Sequence, residues 1–142
     1  MKQDLRQNIL EGKRIFVVED DIMNAGVFHT CLSKQGALVF QDILGYGIVQ
    51  HIVESLPIDL IILDIQLRRG NNGYVVFEKL KVDLQLNGIP VVAVTSLDPE
   101  TEVPIAKKLG FAGYLSKPIN AMEFPHQMAR ILNGESIWLA SR

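Results

Sequence analysis

An α/β fold with a parallel sheet covered by helices on both faces, a three-layer (βα)5 sandwich, is what this sequence predicts. Two observations lead there. Five short runs at residues 15–18 (IFVV), 37–40 (ALVF), 60–63 (LIIL), 91–94 (VVAV) and 113–115 (GYL) have strand length and are mostly β-branched or aromatic. They do not alternate apolar with polar, so both faces of each strand are expected to be covered, and the segments between them carry helical spacing and stop signals. Parallel strands joined by right-handed crossovers follow. The length of 142 residues bounds the answer to one domain, since two would each be too small to bury an independent core.

Taken in order, the first helix is expected over about residues 24–35, ending at Gly36, and the second over about 46–55, ending before Pro57. The third is expected over 73–84 with NGIP closing it. In SLDPETEVPIAKKLG, a helix begun at Asp98 would hold Pro104 in its interior, whereas one capped by Thr101 keeps that proline in the first turn. The shorter helix, 101–109, is therefore expected. The last helix starts at Asn120, where Asn120 and Glu123 have capping-box spacing, and stops near Gly134; Pro125 implies a late start or a kink. There is no repeat, low-complexity tract or linker, which divides the chain into an N-terminal extension (1–12), one domain (13–134) and a C-terminal tail (135–142).

Composition removes several functional classes. Apolar residues at 48% against 21% charged describe a folded globular chain. Lys+Arg 14 against Asp+Glu 16, a net charge of −2, predicts no polyanion-binding surface and no nucleic-acid partner. The single Cys31 cannot form an internal disulfide, and the polar start MKQDLRQNILEGKR has neither a signal peptide nor a span, so the expected location is cytoplasmic, with no membrane partner.

Chemistry-bearing residues gather at the carboxyl ends of the expected strands: Glu19, Asp20 and Asp21 after the first, Asp64 after the third, Thr95 and Ser96 after the fourth, Lys117 after the fifth. In an open α/β sheet these ends converge on the ligand-binding crevice. Crowded carboxylates repel one another and are poorly hydrated there, so a cation belongs among them, and oxygen ligands suit Mg²⁺ or Mn²⁺. A metal held by one or two carboxylates keeps open positions for phosphate oxygens, which points to phosphoryl chemistry. Asp64 is then a candidate nucleophile, with Thr95 and Lys117 holding phosphoryl oxygens.

Taken singly, each residue has a plainer reading. A strand-end aspartate most often caps the following loop, Thr95 alone reads as a strand-end hydroxyl bonded to backbone, Lys117 as a surface lysine and Tyr114 as a half-buried aromatic. Asp21 reads as the N-cap of the first helix and not as a metal ligand. His29, His51 and His126 lie on three separate helices without ligand spacing, and Cys31 reads as core filling. Arg68 and Arg69 read as a solvated loop pair, or as a pair that steers a phosphorylated partner.

Four motifs in order, VVEDD, LIILDIQ, VVAVTS and GYLSKP, make residues 13–132 strongly resemble the receiver domain of two-component response regulators. The resemblance implies a flavodoxin-like receiver fold with a five-stranded parallel sheet in the order 2-1-3-4-5. Carried over residue by residue, it makes Asp64 the phosphoacceptor. Mg²⁺ would bind Asp20, Asp64 and the Gln66 backbone carbonyl, with Glu19 acting through water; Thr95 and Lys117 would hold the phosphoryl oxygens, and Thr95 and Tyr114 would form the switch pair. DIQL, IPVVAVT and the lack of an output domain resemble the stand-alone regulators of the DivK type. Two departures stand out: QLRRGNNG lacks the family's usual proline and is one residue longer, and two prolines flank the fourth helix.

The implied function is a signalling switch phosphorylated by a histidine kinase or a histidine phosphotransfer protein, which then binds a downstream protein differently. It turns over no metabolite and is not an enzyme beyond its own phosphorylation and slow hydrolysis. A Mg²⁺-dependent phosphatase with an aspartyl nucleophile is the rival from the enzyme class, yet such enzymes usually carry an aspartate two residues on, where Gln66 stands here. A pseudo-receiver scaffold that is never phosphorylated is the third reading.

Overall fold

The computed structural model describes residues 8–43, 47–67 and 72–139. The elements run β1 (Arg14–Val18), α1 (Ile22–Ser33), β2 (Leu38–Asp42), α2 (Ile48–Ser55), β3 (Leu60–Leu63), α3 (Gly73–Val82), β4 (Val91–Thr95), α4 (Pro99–Leu109), β5 (Gly113–Ser116), α5 (Phe124–Leu132) and β6 (Ile137–Leu139). The strands form one parallel sheet in the order β2-β1-β3-β4-β5-β6. The expected order 2-1-3-4-5 holds, and a sixth strand extends the sheet at the β5 edge.

Alternation along the central strands divides the core in two. Phe16, Val18, Ile61 and Leu63 pack with Ile52 of α2, Phe77 and Leu80 of α3 and Ala106 of α4 on one face. Ile15, Val17, Leu60 and Ile62 pack with Phe28 and Leu32 of α1 and Met128 and Ile131 of α5 on the other. Two helical layers sandwiching the sheet thus follow from strands apolar on both sides.

Two expectations are corrected. Helix α4 does not wait for Thr101: Asp98 caps it, accepting from the Glu100 N–H at 3.0 Å, and Pro99 takes the first helical position. Pro104 therefore does lie inside the helix. An aspartate cap followed by proline is a stronger start signal than the cost of one missing backbone bond in an exposed helix. Residues 137–139 form β6 instead of belonging to a tail, and Gly113 explains how: a Cβ there would lie 2.9 Å from the Ile137 carbonyl oxygen. Helix α5 starts late, as Pro125 implied, with the Asn120 side chain accepting from the Met122 and Glu123 N–H groups in the turn before it.

Leu10, within the segment read as an extension, is fully buried, and its N–H donates to Gln35 O at 2.9 Å. Arg68 and Arg69 with the rest of residues 68–71 in the QLRRGNNG loop, the expected start of the second helix at Tyr46, residues 1–7 and residues 140–142 lie outside the described residues.

Candidate functional site

Register places the site. Val18 of β1 pairs with Leu63 of β3, so Glu19 and Asp64 leave the sheet side by side, and Thr95 of β4 pairs with Ser116 of β5, so Lys117 emerges next to them. Asp20 follows Glu19 directly, and one carboxylate oxygen each from Glu19, Asp20 and Asp64 lies within 4.8 Å of the others. Residues separated by almost 100 positions of sequence therefore share one crevice, as the fold requires.

Glu19 and Asp64 are buried, Asp20 is half-buried and Thr95 is fully buried. The Lys117 ammonium donates to Glu19 Oε1 at 2.7 Å and to Asp64 Oδ2 at 2.9 Å. Burial, with the neighbouring Asp64 charge, pushes the Glu19 carboxyl above its ordinary range even though Lys117 opposes the shift. Burial acts to lower the Lys117 pKa, but its bonds to Glu19 and Asp64 outweigh that, and the net shift is upward. The ammonium form is thus held in place by the site itself.

Backbone groups fix the remaining oxygens. The Gln66 N–H donates to Asp64 Oδ1 at 2.9 Å, and the Asp21 N–H to Glu19 Oε2 at 3.1 Å. Asp21 itself caps α1, accepting from the Asn24 N–H, so it serves the helix as expected. The β3–α3 connection is pinned by Gly73, whose N–H donates to Ile65 O at 2.8 Å and whose missing side chain admits the Asp64 carbonyl. Glu19, Asp21 and Asp64 are thus held by backbone or side-chain partners and do not rotate freely.

Thr95 Oγ1 accepts from the Leu97 N–H at 3.3 Å, which ties the strand end to the start of α4. Tyr114 is fully buried, and its hydroxyl donates to Leu97 O at 3.1 Å. Thr95 and Tyr114 therefore meet on the two backbone groups of one residue. Gln66 is exposed, and what the structure shows of it is the N–H bond to Asp64.

Three residues escaped sequence reasoning. Tyr74, in the first turn of α3, donates its hydroxyl to Glu102 Oε1 of α4 at 2.5 Å. Trp138 of β6 pairs with Tyr114 in register and lies under the Lys107 ammonium, 5.3 Å from the ring centroid. A tyrosine two residues beyond an asparagine N-cap or a tryptophan in a polar C-terminal stretch carries no spacing signal; only the tertiary fold gives them partners.

The response regulator receiver domain family matches residues 15–129. The chain is 32% identical over 112 residues to the polar-differentiation response regulator DivK of Brucella ovis, covering 79% of this chain and 89% of that one. A solved response regulator receiver protein from Burkholderia phymatum is similar with a TM-score of 0.73 at 25% identity, over 85% of this chain and 95% of that one. The signal receiver domain of a signal transduction histidine kinase from Syntrophus aciditrophicus is similar with a TM-score of 0.74 at 25% identity, over 87% and 92%.

Proposed function

Because the chain belongs to the response regulator receiver family, we propose that it is a phosphorylation-controlled signalling switch whose phosphoacceptor is Asp64. The observation that carries this reading is the cluster itself: three carboxylates, Glu19, Asp20 and Asp64, converge beside the ammonium of Lys117 at the carboxyl ends of adjacent strands. The donor set is all oxygen and carries two more negative charges than positive, which fits a hard divalent cation such as Mg²⁺ or Mn²⁺. Asp20 and Asp64, with the Gln66 carbonyl and Glu19 in support, would hold it, and when bound it offsets the charge of the carboxylates and of the phosphoryl oxygens.

An Asp64 carboxylate oxygen attacks the phosphorus of a phosphohistidine. The P–N bond breaks, a P–O bond forms, and the imidazole leaves with a proton taken from solvent. Lys117 is already on Asp64, so transfer of its hydrogen bonds to a phosphoryl oxygen needs only a local shift. Thr95 would donate its hydroxyl hydrogen to the same group while still accepting from the Leu97 N–H, and Tyr114, bonded to the Leu97 carbonyl, would sense the shift.

The donor would be a histidine kinase or a histidine phosphotransfer protein. Helix α1, IMNAGVFHTCLS, has no Asp, Glu, Lys or Arg, and its first turn exposes Ile22 (73%) and Met23 (80%) directly after Asp20 and Asp21, with Met122 (83%) in the turn after Lys117. An apolar rim around an acidic pocket suits a helix that brings a phosphoimidazole without its own negative charge. A downstream protein would then read the phosphorylated state, and no metabolite is turned over. Among the described residues no helix is long and apolar enough to cross a membrane, and a cytoplasmic setting is part of this proposal.

The deciding experiment is incubation with Mg²⁺ and acetyl phosphate, followed by intact mass measurement. A single acid-stable, base-labile phosphoryl adduct is expected on the wild type and none on Asp64→Asn. No wild-type adduct, or one that survives Asp64→Asn, would refute the assignment.

A further inference from the structure

Resting on the reading of Asp64 as phosphoacceptor, we infer that Tyr74 and Glu102 are positioning residues: their hydrogen bond ties α4 to the phosphoacceptor strand and resists phosphorylation. The two ends of the tie have different anchors. Tyr74 follows Gly73, whose Cα is so close to the backbone of β3 that a Cβ would lie 2.5 Å from Ile65 Cα and 2.6 Å from Asp64 O. The Asn72 side chain fixes the same turn by accepting from the Tyr74 N–H at 2.7 Å. Tyr74 therefore moves with Asp64.

Glu102 moves with Thr95. It lies in the first turns of α4, whose Asp98 cap and Pro99 start make the segment stiff, and only Ser96 and Leu97 separate that cap from Thr95. The Thr95 hydroxyl holds the Leu97 N–H, and Tyr114 holds the Leu97 carbonyl. Any shift of Thr95 toward a group on Asp64 drags this segment, and with it the Glu102 carboxylate. The half-buried Tyr74, its ring edge-on to Phe111 and its hydroxyl bonded to a carboxylate, resists that drag. Burial first, and then the Glu102 carboxylate, push the Tyr74 phenol upward, so it remains a donor at any physiological pH.

A contact made in the unloaded state and broken in the loaded state lowers the population competent to react, and so slows reaction with a small donor in proportion. Severing it should accelerate adduct formation. Structural damage alone does not speed a reaction, which separates this role from a merely stabilising one.

The test measures the rate of acetyl phosphate-driven adduct formation in Mg²⁺ for the wild type, Tyr74→Phe, Glu102→Gln, the double variant and Val75→Ala, an exposed neighbour outside the tie. Tyr74→Phe should react about five-fold faster, within the usual range of coupling between two elements. Glu102→Gln should react faster by a smaller factor, because its amide oxygen still accepts a weaker bond. The double variant should equal Tyr74→Phe, and Val75→Ala should match the wild type. Rates of Tyr74→Phe at or below wild type, a double variant that multiplies the single effects, or an equal gain in Val75→Ala would overturn the tie. Absence of any wild-type adduct would instead overturn the assignment of Asp64, a result distinguishable from all of these.

Discussion

Replacing Gly73 with alanine tests whether backbone packing holds Asp64 in place. An added Cβ would meet Ile65 Cα at 2.5 Å and Asp64 O at 2.6 Å, both backbone atoms that cannot swing aside. To reach ordinary contact, α3 or the β3 end must retreat by about 1 Å, and overpacking of this kind costs about 1–3 kcal/mol. Against it stands the helix preference of alanine over glycine, about 1 kcal/mol at most. Two backbone atoms are met at once, which puts the cost in the upper part of that range, so the net is a loss of about 1–2 kcal/mol, a fall in Tm of about 2–8 °C. Gly26 in α1 has nothing within 4 Å of its added Cβ, so Gly26→Ala keeps only the favourable part and should raise Tm by about 2–4 °C. Differential scanning calorimetry of the pair reads both signs. Because the displaced atoms belong to Asp64 and Ile65, adduct formation in Gly73→Ala should also fall by about ten-fold or more. A Gly73→Ala protein that melts at or above the wild type, while Gly26→Ala behaves as stated, would refute the steric account of the phosphoacceptor loop.

Lys117→Met removes the cation bonded to Glu19 and Asp64, so calorimetric titration should show Mg²⁺ binding tighter by about five-fold or more, while stability in EDTA falls by about 3 kcal/mol; weaker Mg²⁺ binding would mean that the ammonium organises the acids more than it competes for them. The Tyr114 phenol is pushed up to about 12 from 10.0, by burial first and then by Glu102. Its contribution to stability is complete below pH 10 and is lost as pH rises through about 12, so denaturation midpoints followed at Trp138 should fall between pH 9.5 and 11.5 less steeply in Tyr114→Phe, and an unchanged slope would rule out that phenol as the cause. Burial raises the Cys31 thiol to about 11, so at pH 8 the native protein should resist a thiol reagent that labels it at once in guanidinium; rapid native labelling would show that α1 opens locally.

The fold was legible because strand hydrophobicity carries it: the LIIL run of β3 is buried on both faces and could sit nowhere but mid-sheet. The first-line site was legible for a related reason. Glu19, Asp20, Asp64, Thr95 and Lys117 each end an apolar run, and in a parallel sheet run-ends share one edge. What the sequence concealed depends on close approach between distant segments. Gly113 looks like the start of a strand; that its missing side chain admits β6 is visible only once Ile137 is placed beside it. Pro104 argues by its cost for a later start of α4, but the Asp98 cap and a first-turn Pro99 favour the earlier one, and Pro104 is exposed to water. Tyr74 and Glu102 lie 28 residues apart and follow no periodicity, so their bond exists only through the packing of α3 and α4.

Charge and burial together explain why this pocket suits a switch and not a static ion pair. With Lys117 bonded to two of three clustered carboxylates, one ammonium faces three acids, and burial already presses the Glu19 carboxyl toward its neutral form. A pocket with that set of side chains is electrostatically under-neutralised by the protein alone, and burying such charge is costly unless a cation completes it. In the proposed reading a divalent ion would relieve the excess, and a phosphoryl group on Asp64 would then restore negative charge at the point where Lys117 and Thr95 can reach it. Each added charge shifts the local balance, so the groups that would respond are those with a second bond at hand: Lys117 with Glu19, Thr95 with the Leu97 N–H. Tyr114 and, through α4, Glu102 connect to the second of these, which is why the response would leave the pocket along β4 and α4 and not along β1, whose acids are fixed by the backbone of Asp21 and the cap of α1.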